Sequence, residues 1–235
     1  MAVDNNYSNY FANRGVSAAT YDTFTLPKYL IDVFDKDVDV SILDFGCGFG
    51  QNLKALYHIG FNDLTGYDIE PNAIKFCIEN NINVIDGRAV NLKAVSKRFD
   101  FIIATHVLEH IPKNLIIETL RELRNLLSDN GKIFVAVPNA QSNTSCYWRY
   151  EDFTHTTLFT AGSLFYVLRE AGYTDIELRD KDCLAGLLGF KRVFKKLLLK
   201  TYRANNTFWN RVTSSSYHQP SPVVNSYEIK MLAKK

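Results

Sequence analysis

Long apolar runs are missing from this 235-residue sequence: no uninterrupted stretch is long enough to span a bilayer, and the polar start Met1-Ala2-Val3-Asp4-Asn5-Asn6 lacks the apolar core of a signal peptide. Cysteine is scarce. The four residues, at 47, 77, 146 and 183, form no C-x-x-C pair and no framework spacing, so a disulfide scaffold or a zinc knuckle has no support. A reducing, cytoplasmic setting is expected. Strong net charge is also absent, at +2, and with 46% hydrophobic and 22% charged residues the disordered and fibrous classes are excluded. The distribution of charge is another matter. Between Cys183 and Tyr227 there are seven Lys/Arg and no Asp or Glu, whereas the rest of the chain holds 20 basic and 25 acidic residues. That asymmetry marks the C-terminal region for an acidic substrate or surface.

Strand-like and helix-like runs alternate, the pattern of parallel strands joined by crossover helices. Seven strands are expected near 41–45, 64–67, 83–85, 99–105, 132–137, 175–179 and 227–233, and helices near 26–34, 52–57, 71–80, 114–127 and 162–171. Gly60, Asn130-Gly131 and Gly172 read as stop signals after the second, fourth and fifth helices. The longest irregular-looking stretch runs from Leu184 to Asn225, a length that implies function or structure of its own. The layout is therefore an N-terminal lid and first helix over 1–40, a core over 41–183, a basic helical insertion over 184–225 and the last core strand over 226–235.

Ser41-Ile42-Leu43-Asp44-Phe45 followed by Gly46-Cys47-Gly48-Phe49-Gly50 reads as a buried strand entering a tight turn and then a helix, with glycines that let the backbone approach a ligand. A dinucleotide fingerprint needs a further glycine at position 51, where Gln51 stands, which weakens a nicotinamide reading. Asp68, at the end of the second strand, can accept hydrogen bonds from ribose hydroxyls, a need common to several nucleotide cofactors. The segment resembles motif I of class I S-adenosylmethionine-dependent methyltransferases, in which an acidic residue two positions before the first glycine, here Asp44, precedes a G-x-G-x-G turn. The resemblance covers about 41–171. It implies a three-layer α/β Rossmann-like fold with a seven-stranded, mostly parallel sheet, S-adenosylmethionine as methyl donor and S-adenosylhomocysteine as product. It places Asp44, Gly46, Cys47, Gly48, Asp68, Ile69, Asp86 and Thr105 around the cofactor. Many relatives put an acid after the glycine of the third strand, to meet the adenine amino group. This chain has Arg88 there, leaving Asp86 or a backbone carbonyl for the task.

The fourth strand delivers His106-Val107-Leu108-Glu109-His110-Ile111-Pro112 to the carboxyl edge of the sheet, where ligands bind in open α/β folds. Methyl transfer to oxygen is an in-line displacement in which the acceptor must be aligned and deprotonated, work that suits a neutral histidine. The candidates are His106, His110 and His155, with Glu109 beside them. The Leu-Glu-His-Ile-Pro string resembles small-molecule and sugar methyltransferases. Asp152-x-x-His155, Phe159-Thr160 and a helix ending Ala171-Gly172-Tyr173 resemble those of bacterial surface-polysaccharide biosynthesis. His106-x-x-Glu109-His110 plus His155 also resembles the Glu-x-x-Glu-His plus His metal site of small-RNA 2′-O-methyltransferases, with His106 shifting preference from Mg²⁺ to softer divalent ions. Competing structural roles are a helix cap for Glu109 and a buried, hydrogen-bonded His110. The preceding strand and Pro112 speak against an H-x-x-E-H peptidase, whose motif lies within a long helix.

Tyr7-Ser8-Asn9-Tyr10-Phe11 and the stretch ending at Tyr21 precede the first strand, where related enzymes carry a lid; Tyr10, Phe11 and Tyr21 either line an acceptor pocket or pack a loop on the core. Residues 189–200 form a basic amphipathic helix that can touch anionic lipid, a phosphate-bearing acceptor or only solvent. No nucleic-acid motif accompanies it, so nucleic acid is not favoured as a partner. The expected activity is O-methylation of a hydroxyl on a sugar, nucleotide-sugar or phosphorylated glycan precursor. Alternatives are a quinone or small aromatic acceptor, or a cofactor-binding regulatory subunit without turnover; nitrogen and carbon acceptors stay open.

Overall fold

The computed structural model describes residues 9–34, 38–144, 146–215 and 222–235. Seven strands, β1 (Ile42–Phe45), β2 (Leu64–Asp68), β3 (Val84–Asp86), β4 (Phe99–Thr105), β5 (Leu127–Pro138), β6 (Thr174–Arg179) and β7 (Glu228–Lys234), form one sheet in the order β3-β2-β1-β4-β5-β7-β6. All neighbours are parallel except β7, which runs antiparallel to both β5 and β6. The α/β expectation of a seven-stranded, mostly parallel sheet holds. β1 and β4 sit side by side at the centre, where the strand order reverses, so the loops leaving them open on the same crevice.

The central strands are apolar along their whole length because both faces are covered. Their residues alternate between two cores. Leu43, Ile102, Ala104, Ile133, Val135 and Val137 face one side, packed by Ile116, Leu120 and Leu123 of α5 (Ile116–Leu126) and by Leu164 and Leu168 of α7 (Ala161–Glu170). Ile42, Phe101, Ile103, Phe134 and Ala136 face the other, packed by Leu56 of α3 (Gln51–His58) and by Leu26, Leu30 and Val33. Local chemistry sets the helix starts. Glu70 caps α4 (Pro71–Glu79) by accepting from the Ala73 amide at 2.6 Å, with Pro71 in the first turn, and Thr160 and Ser163 form a capping box on α7.

Three expectations need correction. The helix expected over 26–34 is a single turn, α2 (Lys28–Ile31), after the equally short α1 (Tyr10–Asn13) and a 3-10 turn at Ala18–Tyr21; Leu26 and Val33 are buried from extended and turn backbone instead. Asn130-Gly131 is not a helix stop. α5 ends at Leu126 and β5 begins at Leu127, which pairs with Phe99 across a bulge. Gly131 is needed for room, since a Cβ there would lie 2.9 Å from that of Leu127. Finally, the insertion is mostly one helix, α8 (Gly189–Val212), of 24 residues, double the length the apolar spacing indicated. Among the described residues no helix is long and apolar enough to cross a membrane.

Candidate active site

The turn after β1 is held in left-handed backbone at Gly46, Gly48 and Gly50, with φ of +76°, +52° and +73°. A Cβ on Gly46 would lie 2.2 Å from Cγ2 of Val107, so this glycine is where the loops after β1 and β4 touch. The close approach joins the glycine turn to the histidine segment, which begins one residue before Val107. Asp68 sits beneath the turn: its Oδ2 accepts from the Gly48 amide at 2.7 Å, and its Oδ1 accepts from the amides of Ile69 at 2.7 Å and Glu70 at 2.8 Å. Three of its roughly four lone-pair directions are thus used by the backbone, which fixes the carboxylate. Burial raises its pKa against the pull of those amides.

Asp44 is buried and its pKa is raised to about 7, chiefly by burial, with the Asn52 amide opposing and nearby Asp68 adding. Asn52 Nδ2 reaches Asp44 Oδ1 at 3.4 Å and Thr105 Oγ1 at 3.5 Å, so three strand and helix ends meet there. Asp44 Oδ2 has no hydrogen-bond partner. A buried acid with an orphaned oxygen beside a cradle of glycines fits a cationic nucleotide ligand. Cys47 is buried behind the turn, its thiol 3.8 Å from the Gly48 carbonyl, and Cys77 approaches the same carbonyl at 3.4 Å. Asp86, in register with Asp68 on β3, is gripped by Arg88, whose Nε and Nη2 reach its two oxygens at 2.9 and 2.6 Å. To receive an adenine amino group, Asp86 has to yield part of that grip.

His106, Glu109, His110 and His155 do converge. His106 directly follows β4 with φ of +56°, a conformation costing a non-glycine residue about 1–3 kcal/mol. Its Nε2 lies 2.7 Å from Glu228 Oε1 and its Nδ1 3.3 Å from Glu109 Oε1. Partial desolvation of the half-exposed ring favours the neutral form, but the two carboxylates outweigh it and raise the pKa to about 10. His106 is therefore an imidazolium at neutral pH, not the neutral base its position suggested. Behind it, Lys230 is 2% exposed and joins Glu228 at 3.3 Å and Asp180 at 3.6 Å, over the Tyr29 ring.

On the other side, Thr154 Oγ1 donates to Asp152 Oδ1 at 2.6 Å and lies 2.8 Å from His110 Nδ1. Since the hydroxyl proton goes to the carboxylate, His110 Nδ1 is the donor to Thr154, and the lone pair of the neutral ring falls on Nε2. The His110 pKa is lowered, chiefly by burial. Asp152 also accepts from Tyr10 at 2.7 Å and pairs with Arg14; despite burial, Thr154 and Tyr10 hold its pKa down at about 2. His155 Nδ1 can only donate to the Trp148 carbonyl, 2.5 Å away, which leaves Nε2 between Asp152 Oδ2 at 3.6 Å and Glu109 Oε1 at 4.0 Å.

Glu109 is fully buried, yet neither carboxylate oxygen has a hydrogen-bond partner; the His106 approach lacks hydrogen-bond alignment. It caps no helix. Its backbone carbonyl instead receives the amides of Thr156 and Thr157, which docks the Asp152–Phe159 stretch onto the Leu108–His110 turn. Glu109, His110 and His155 each offer a ligand atom within 4.8 Å of the others and could hold a cation; His106, the expected first ligand, is outside that group and committed to Glu228.

The N-terminal segment folds over both halves. The Phe11 ring lies 4.7 Å from that of Phe49 on the glycine turn, and Tyr10 packs edge-on against His110 at 5.6 Å. Tyr21 lies farther out, 6.4 Å from Phe49, and Tyr7 and Ser8 fall outside the described residues. The sequence reading missed Asn52, Thr154, Glu228 and Lys230. Only the last pair left a signal: Glu228 and Lys230 share one face of the strand, with Ile229 between them on the other, charges where an interior strand is otherwise apolar.

A family model described as a methyltransferase domain matches residues 12–178. The ribosomal protein L11 methyltransferase of Lactobacillus johnsonii is 34% identical over 99 residues, 40% of this chain and 30% of that protein. The chain spans less than half the length of the curated relatives it matches. Among solved structures, a SAM-dependent methyltransferase from Archaeoglobus fulgidus has a TM-score of 0.65 at 22% identity, covering 97% of this chain and 98% of that one. Phosphoethanolamine N-methyltransferase 2 of Haemonchus contortus, solved in complex with S-adenosyl-L-methionine, has a TM-score of 0.62 at 13% identity, covering 100% of this chain and 60% of that one. The fold is that of the S-adenosylmethionine-dependent methyltransferases, and with the family model spanning most of its length the chain belongs to the methyltransferase-domain family.

Proposed function

We propose that the chain transfers the methyl group of S-adenosylmethionine to a hydroxyl of a sugar, nucleotide-sugar or phosphorylated glycan precursor in the cytoplasm. The observation that supports an acceptor hydroxyl at this edge is Glu109, whose two buried oxygens have no hydrogen-bond partner and stand among three histidines. A buried carboxylate in that state costs about 1–3 kcal/mol or more, a cost relieved when a hydroxyl donor enters. Asp44, with Gly46 and Gly48, holds the cationic amino-acid end of the donor, and Asp68 the ribose. Thr105, Cys47 and Ile69 line the same turn, with Asp86 or a neighbouring carbonyl at the adenine.

The acceptor oxygen forms its bond to the methyl carbon as the carbon–sulfur bond breaks and its electron pair goes to sulfur, giving S-adenosylhomocysteine. The hydroxyl proton passes to His110 Nε2, the basic nitrogen of a ring oriented through Thr154 and Asp152. His106, an imidazolium, stabilises negative charge developing on the acceptor. Formation of S-adenosylhomocysteine with a panel of sugar nucleotides tests this; turnover with phenols or quinols alone would sink the glycan reading, and no turnover with any acceptor would favour a regulatory subunit.

A second reading follows from the same orphaned carboxylate: a divalent cation on Glu109, His110 and His155. Mixed imidazole and carboxylate donors suit Mn²⁺, Fe²⁺ or Zn²⁺ better than Mg²⁺. When bound, such an ion would polarise the acceptor oxygen. Calorimetry with Mn²⁺ decides: absence of binding, together with full activity after chelation, retires the ion.

A further inference from the structure

Helix α8 is turned the unexpected way round. An amphipathic helix on a globular domain buries its apolar stripe and shows its charges to water. Here none of the 24 residues is buried. The contacts with the domain are made by the polar side: Arg192 donates to the Leu184 carbonyl at 2.8 Å, Lys195 to the Cys183 carbonyl at 2.7 Å, Tyr202 to Asn143, and Arg203 pairs with Asp182. Pointing away are Phe190, Val193, Phe194, Leu197, Phe208 and Val212, which recur at helical spacing and are 80%, 65%, 49%, 59%, 57% and 58% exposed. Lys191, Lys196, Lys200 and Arg211 are exposed along the flanks of this stripe, and the helix contains no acidic residue.

We propose that the outward face of α8 lies on an anionic lipid surface, its phenylalanines and leucines sunk to the acyl boundary and the flanking cations among the headgroups. Large apolar side chains on one face, cations beside them and too little apolar length to span are the physical requirements of a helix lying in the membrane plane. Charge decides the occupant. A second copy of this chain would set the four flanking cations of one helix against the four of the other with no acid on either helix to offset them, whereas an anionic bilayer supplies the missing charge. The loops that anchor α8, around Cys183 and Asn143, follow β6 and β5 at the carboxyl edge that also carries His106 and Glu228, so the docked face would hold the rim of the site at the membrane. The docking claim does not depend on which acceptor the enzyme uses.

Flotation of the full chain with vesicles tests it. Phosphatidylcholine vesicles containing about 30% phosphatidylglycerol should bind the protein at least about tenfold more tightly than phosphatidylcholine alone, with the advantage shrinking as salt rises. The pair Phe190→Ser and Leu197→Ser should abolish binding while leaving the thermal midpoint in place, because both side chains are mostly exposed and the Phe190 ring stacks on Phe194 of the same helix. Lys196→Gln with Lys200→Gln should weaken binding to anionic vesicles alone. Absence of binding to anionic vesicles, or equal binding to both compositions, would overturn the proposal. So would sedimentation velocity showing a dimer that the Phe190 and Leu197 substitutions dissolve, which would assign the face to a second copy.

Discussion

The two ends of the active site are built differently. The donor end is local: Asp44, the glycine turn, Asn52 and Asp68 lie within 25 residues and are fixed by backbone amides. The acceptor end is assembled from four distant pieces, α1, the loop after β4, the Asp152–Phe159 stretch and β7, and is fixed by charge: Glu228 and Lys230 behind His106, Asp152 and Thr154 behind His110. A local, amide-held site binds a constant cofactor. A site pooled from several segments is one in which acceptor preference can change without disturbing the donor.

That contrast can be broken by substitution. The largest effect is expected for His110→Gln, which should lower kcat by about 10²–10⁴-fold, the usual worth of a general base, with donor affinity by calorimetry unchanged. Loss of both together would show that the two ends are not separable. Asp44→Asn should act oppositely, weakening the donor at least about tenfold while raising the thermal midpoint, since a buried, partly unpaired acid costs about 1–3 kcal/mol. In the wild type, donor affinity should fall as pH drops below about 7, where Asp44 takes up its proton.

A smaller effect sharpens the acceptor end. The folded pKa of His106 is raised from the usual 6.5 to about 10, so its pairing contributes fully below pH 6.5 and is lost as pH rises towards 10. With the imidazole 47% exposed and therefore screened by water, about 1–2 kcal/mol should disappear over that window. Urea melts of wild type and Glu228→Gln should differ most below pH 6.5 and less near pH 10, where only the loss of the Glu228–Lys230 pair still separates them; parallel curves would remove the His106–Glu228 pair from the account.

How much was legible follows from the same division. The strands announced themselves because the central ones are buried on both faces, and the donor end because glycines, Asp44 and Asp68 sit at fixed offsets from them. His106, Glu109 and His110 were legible as a string after β4, and His155 as part of a motif, but not their charge states. Those depend on Glu228, 122 residues from His106, and on Thr154, 44 residues from His110, pairings that only the folded sheet creates. The apolar spacing of α8 was visible too. Its orientation was not, because periodicity names the two faces of a helix without saying which one meets the domain.

The pH dependence of single-turnover methyl transfer tests the central claim most directly, that a neutral His110 takes the acceptor proton beside a charged His106. The rate should rise through an apparent pKa below the usual histidine value of 6.5, keep that limb in Glu228→Gln and lose it in His110→Gln. A limb that survives His110→Gln, or a rate that rises only as His106 loses its proton towards pH 10, would contradict the assignment.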